Sequence, residues 1–240
     1  MQVVLLRVGI DSGSGGIQGP LFKDGSFEFI PIPDKFRGKG VNSMTYGNTR
    51  TRYGGKLIRY FPDGMKGKIR NQPIHNDPEF RTFTYGDPTP PKRGLRHLTN
   101  GDLLVFYSGL KPWPSGGKEQ LYTIGYFRVL AAGLATDFGR SFLLRYFAKN
   151  FHLRHRSVFR RQRSQLVLVK GGPGSRLLAK AHLISSRGRD KNGYPLKVLS
   201  PEMRRVFGTW GGHISIQRSS PRWVAPQYSR KAASFVTSQK

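Results

Sequence analysis

The sequence predicts an α+β fold in which a barrel-like or strongly curved mixed sheet carries flanking helices. Three observations predict it. Runs rich in aliphatic and β-branched residues at 2–8, 103–109 and 121–132 read as strands. The segment 137–163 places Phe142, Leu143, Tyr146, Phe147 and Phe151 at helical spacing on one side. Hydrophobic residues make up 37% of the chain and aromatic residues 12%, enough for a packed core and too much for a disordered basic tail.

The elements follow in order. QVVLLRV at 2–8 is a buried strand, and DSGSGG at 11–16 punctuates it. In GPLFKDGSFEFIPIP, Lys23-Asp24-Gly25 between two apolar runs predicts a hairpin turn. Residues 34–95 are dense in Gly, Pro, Asn, Tyr and Arg, the composition of functional loop or local disorder. LLVFYSG and LYTIGYFRVLAA then read as partner strands around a Pro/Trp/Gly loop. The helix over 137–163 follows, with Asp137 as its expected N-cap. QLVLVK, a GGPG turn and RLLAKAHLIS read as strand, turn, and strand or short helix. Ser200-Pro201-Glu202 is a helix start, with a capping hydroxyl, proline at the first turn and an acid near the positive end of the dipole. A short strand is expected around Ile214–Ile216. The last dozen residues read as a mobile basic tail. The organisation expected is a core over 1–136 with a loop-rich insertion at 34–95, a basic helix and further strands over 137–228, and a tail over 229–240.

The 240 residues hold 41 lysines and arginines against 13 acids, a net charge of +28. Such an imbalance weakens a compact state unless a polyanion supplies counter-charge, so nucleic acid is the expected partner. Cysteine is absent, which excludes disulfides, thiolate metal sites and cysteine nucleophiles. The N-terminus lacks the basic start and long apolar stretch of a secretory signal. No apolar run approaches the roughly 18 residues of a membrane span. The expectation is a soluble cytoplasmic protein with no membrane partner and no cofactor.

Four segments could carry chemistry. The glycine-rich 11–16 segment can bring backbone N–H groups close to a phosphate or base, with Asp11 at the strand exit, although a plain turn with a solvated Asp has the same sequence. It is no Walker loop, since no Gly-Lys-Ser/Thr follows. His75 and Asp77, two residues apart, suit an acid/base pair, a fragment of a metal site or an Asx-Pro turn. No second cluster with ligand spacing accompanies them, so no metal is expected. Arg145, Lys149, His152, Arg156 and Arg160, with Arg161 beside them, recur at three or four residues and can track a phosphate backbone. No acid occurs between Asp137 and Asp190 to make this an ordinary mixed charged face. Arg218-Ser-Ser-Pro-Arg222-Trp223 adds phosphate donors beside a stacking plane, and equally fits a core-anchoring Trp with exposed arginines.

The GD-apolar-FYS strand at 101–108, followed by Ile124-Gly125-Tyr126, resembles the strand pair of PUA-like domains, the EVE subgroup in particular. The wider order is DSGSGG, the LFKDGSFEFIPIPD stretch, Thr45-Tyr46-Gly47, His75-x-Asp77-Pro78, then the GD…FYSG strand. It resembles the third type of nucleotide-modification-associated domain, which is linked to prokaryotic and phage DNA base modification. The resemblance covers roughly residues 1–130 and, loosely, Ser175 to Leu178. It implies a PUA-like β-barrel whose motif positions are Asp11, Ser12, Gly15, Gly16, Tyr46, His75, Asp77 and Tyr107. The arginine-rich helix and the RSSPRW segment depart from that pattern.

Three functions fit these features. One is a nucleic-acid-binding protein, DNA ahead of RNA, that reads a modified or flipped base in a pocket of Ser12, Gly15, Gly16, Tyr46, Tyr107 and Ser108. Arg145, Lys149, Arg156, Arg160, Arg161, Arg218 and Arg222 would hold the backbone. The alternative is an enzyme acting on a nucleobase or nucleotide, of hypermodifying, glycosylase or transferase type, with Asp11, His75 and Asp77 as catalytic groups. The third is a structural component of a ribonucleoprotein.

Overall fold

Strand β1 (Val3–Arg7) is apolar on both faces, and Val3, Val4, Leu5 and Leu6 are fully buried. A strand of this kind belongs inside a sheet covered on both sides. In the computed structural model, which describes residues 1–10, 17–34, 44–217 and 219–239, β1 runs parallel to the later strand 103–112 and pairs with it from Val3 to Arg7. Next come β2 (Gly19–Leu21), β3 (Ile32–Pro33), α1 (Asp63–Ile69), β4 (Ile74–His75), β5 (Thr84–Asp87), β6 (Leu103–Pro112) and β7 (Gln120–Leu134). Helices α2 (Arg140–Phe147), α3 (Phe151–Arg154) and α4 (Arg156–Gln162) lead to β8 (Val167–Gly171) and β9 (Arg176–Leu183). The chain closes with β10 (Ser185–Arg189), β11 (Pro195–Leu199), α5 (Pro201–Phe207), β12 (Arg222–Trp223) and α6 (Pro226–Ser238).

The principal sheet has the order β12-β1-β6-β7-β8-β5, with β2 added to β6 and β9 to β7. Among the described residues, only the β1–β6 and β2–β6 pairings are parallel. The α+β class stands, but the barrel does not: the sheet is open. Closure requires the outer strands to share an edge. Here β12 offers two residues and β5 four, and they pair with β1 and β8 rather than with each other. The PUA-like barrel suggested by the strand motif is therefore replaced by an open mixed sheet. The strand pair that carried the suggestion is present, as β6 and β7 in antiparallel register.

Three further expectations change. The helix predicted over 137–163 is three short helices. Asn150 breaks it, because the Asn150 side chain accepts the His152 N–H at 3.1 Å and caps α3. Asp137 instead accepts the Leu134 N–H at 2.7 Å, and Gly139 occupies the cap position of α2. The basic tail is largely helix α6, which buries Ala232, Ala233 and Val236 against α5 and β1. The loop-rich stretch builds a second apolar core in which Tyr46, Leu57, Phe61 and Ile74 join Ile10 and Ile30. The start at Ser200 forms as expected, with Ser200 Oγ accepting the Met203 N–H at 3.2 Å. The turn at Lys23–Gly25 is also present, with Gly25 at φ +85°.

Candidate functional site

The segment that begins with β4 alternates its side chains, as extended backbone must. Ile74 goes into the second core, while His75 and Asp77 line a cavity of about 240 Å³ on the other side. Strand β5 backs this cavity and supplies Gly86. Helix α3 brings His152 against two of the lining residues, Asp77 and Gly86. Asn150 docks α3 onto β5: it is fully buried, and its Nδ2 donates to Thr84 Oγ1 at 3.3 Å while its Oδ1 caps the helix. Gly86 has to be glycine, since a Cβ there would lie 2.8 Å from the His152 ring and 3.2 Å from Asn150 Oδ1.

One carboxylate oxygen organises the cluster. Asp77 Oδ2 accepts the Gly86 N–H at 2.8 Å and lies 3.5 Å from His152 Nε2 and 3.9 Å from His75 Nε2. His152 Nε2 also faces the Gly86 carbonyl at 3.0 Å. A carbonyl only accepts, so Nε2 carries a proton. His152 Nδ1 meets Gln162 Oε1 at 2.7 Å. Burial acts to lower the His152 pKa, but the hydrogen bond and charge of Asp77, with Gln162 and Asp87, outweigh it and leave the value raised. The ring of His75 stacks on Phe151, centroids 3.8 Å apart. Among the described residues, His75 Nε2 and Asp77 Oδ1 are buried and have no hydrogen-bond partner. Such orphans are rare in a folded protein, and both atoms can take up a water, an ion or a ligand. Arg7, Lys92, Asp87 and Ser219 share the cavity wall. The Lys92 ammonium sits 3.2 Å from Ser219 Oγ and 3.9 Å from Asp87 Oδ2.

Among the described residues, His75, Asp77 and His152 are the group that could surround a metal ion, with one ligand atom each, all within 4.8 Å of one another. To ligate a metal, His152 would have to release either the Gly86 carbonyl from its Nε2 or Gln162 Oε1 from its Nδ1, whereas His75 Nε2 and Asp77 Oδ1 have no such contact to give up. Proton transfer asks less of the site and fits the same geometry.

The remaining sequence candidates are scattered. Asp11, Ser12, Gly15, Gly16 and Arg218 lie outside the described residues. Tyr46 and Tyr107 are fully buried in two different cores, their hydroxyls donating to Pro31 O at 2.7 Å and Ile216 O at 3.0 Å. Ser108 is buried in the sheet beneath Gly9. Arg145, Lys149, Arg156, Arg160 and Arg161 are exposed, but spread over α2, the turn after it and α4 rather than along one helix. Arg222 is half-buried, its guanidinium 5.8 Å from the Trp210 ring centroid. The structure thus unites His75 and Asp77 and adds His152, Gly86 and Lys92, which the sequence reading missed as site residues. His152 fell at helical spacing with the basic stripe, and only the polar Asn150 two residues earlier marked the turn as unusual.

The family model described as nucleotide modification associated domain 3 matches residues 2–238. The match takes in the arginine-rich helices and the RSSPRW segment, which the sequence motifs alone placed outside the family pattern. No curated protein and no solved structure matches the chain.

Proposed function

The chain belongs to the nucleotide modification associated domain 3 family, and on that premise we propose that it is an enzyme acting on a nucleobase or nucleotide at the His75–Asp77–His152 cluster. The observation that carries this reading is the pair of orphaned polar atoms, His75 Nε2 and Asp77 Oδ1, buried side by side at a cavity. His75 is the acid or base: its Nε2 makes no hydrogen bond to the described residues and lies 3.9 Å from Asp77 Oδ2, and Phe151 stacks on its ring. Asp77 and His152 form a buried ion pair that holds the second carboxylate oxygen in place. Lys92 supplies positive charge at the cavity wall, where oxygens of a nucleotide would sit. A reader of bases built on Tyr46 and Tyr107 has less support, because both rings lie inside the cores with their hydroxyls already bonded. DNA stands ahead of RNA as the polymer, on the resemblance to base-modifying families. Asp11 remains a proposed third group.

Mass spectrometry of nucleosides from DNA and from RNA incubated with the protein tests this. The expected result is a nucleoside gained or lost with the wild type and unchanged with His75→Gln. Identical nucleoside profiles for the wild type and the variant, in both polymers, would overturn the assignment.

A further inference from the structure

On the other face of the wall that carries His75 and Asp77 lies a second and larger space, a groove of about 1030 Å³. Ile74 and Asn76 face it, alternating with the two site residues. Its size reaches the top of the roughly 300–1,000 Å³ range of small-molecule clefts, more than a single base requires. Six cations line it, from four separate parts of the chain: Arg50, Arg52, Arg81, Lys149, Arg154 and Arg176. All six are exposed. Among the described residues none of them makes an ion pair within 4.0 Å.

The groove contains two acids against six cations, so it stays positive. The Glu79 carboxylate turns inward and accepts from the Arg81 and Thr82 backbone N–H groups at 2.8 and 2.7 Å and from the Thr82 hydroxyl. Glu28 is buried and accepts the Arg52 N–H at 2.8 Å. Burial pushes its carboxyl up to about 7, against the opposing pull of Arg52, so near neutrality it is partly uncharged. Phe80 and Phe83, both half-buried, add aromatic surface between the charges, with Phe29 buried behind Phe80.

We propose that this groove holds a single polynucleotide strand, its phosphates on the six cations and its bases against the phenylalanines. A cleft lined by one sign of charge concentrates a polyanion. Aromatic faces interleaved with cations are the arrangement that binds unpaired bases without regard to sequence. A duplex hides its bases from such a surface, and a free nucleotide would leave most of the cations without a phosphate. The short helix α3 ties the groove to the catalytic cluster, since His152 points from it toward Asp77 while Arg154 lines the groove. The inference rests on the proposed function only in naming the substrate of that site as a base within a strand.

Fluorescence anisotropy with a labelled oligodeoxynucleotide of about 15 nucleotides, single-stranded and as a duplex, tests it. The triple variant Arg81→Ala, Lys149→Ala, Arg154→Ala should bind the single strand at least about tenfold more weakly, with a salt slope reduced by about 2. The control Arg205→Ala, Arg230→Ala, Lys231→Ala, on α5 and α6, should bind within about twofold of the wild type. Thermal unfolding of each variant confirms that it is folded. Equal losses in the two variants, or tighter binding of the duplex, would overturn the groove assignment. His75→Gln should still bind the strand. Strand binding without nucleoside modification would overturn the proposed reaction alone, and modification of free nucleotides without strand binding would overturn the groove alone.

Discussion

Asp77 holds its site together through a single oxygen, which takes a backbone N–H from β5 and faces His152 on α3. Asp77→Asn keeps the shape and removes the charge. Removing one partner of a buried pair typically costs about 3–5 kcal/mol, and the retained amide bonding should place this variant at the low end. The cost depends on pH. The folded-state pKa of His152 lies above its usual 6.5, so the pair's contribution is complete below that value and is lost as pH rises through the folded value. The gap in Tm between wild type and Asp77→Asn should therefore narrow steadily from about pH 6 to pH 9. A gap that is constant or widens over that range would show that His152 is not a cation in the folded state.

The elements matter through where they end. Helix α3 is four residues long, too short to stand by propensity. It is fixed by Asn150, by the stacking of Phe151 on His75 and by the fit of His152 against Gly86. Gly86→Ala would push a methyl group into the His152 ring and Asn150 at once, and both are buried. Overpacking of this kind costs about 1–3 kcal/mol. It should also move His152 away from Asp77 and lower the rate of nucleoside modification by more than the loss of folded protein explains. Rates corrected for folded fraction by circular dichroism measure this. The element scale also shows where sequence periodicity misleads. The stripe through 145–160 has the spacing of one helix face, yet buried Asn150 turns the chain so that His152 goes inward while Lys149 and Arg154 stay outside.

At the scale of the molecule, +28 charges repel one another throughout the folded state. A polyanion that binds only the folded protein should stabilise it by about 2.7 kcal/mol at a hundredfold excess over Kd. Tm should rise on adding a single-stranded oligonucleotide, and the rise should fade as salt is added. An increase that persists undiminished at high salt would mean that charge is not what drives binding. The charge also has a location. Six exposed cations converge on the groove from distant segments, and the two carboxylates there are turned inward or buried.

The α+β class, the strands β1, β6 and β7, the cap at Ser200, the large positive charge and the closeness of His75 to Asp77 are legible along the chain. These are local properties: strand and helix periodicity, capping chemistry and charge act over a few residues and are written in order along the chain. The strands β6 and β7 pair as their sequence predicts, while the barrel closure expected of them does not form, because closure depends on whether two short outer strands meet. The open sheet, the packing of residues 229–238 as the last turns of a helix and the place of His152 in the cluster all depend on long-range contacts. His152 lies 75 residues beyond Asp77 in the chain. Nothing in local spacing records such a contact, since the buried fit of Asn150 and Gly86 between α3 and β5 creates it.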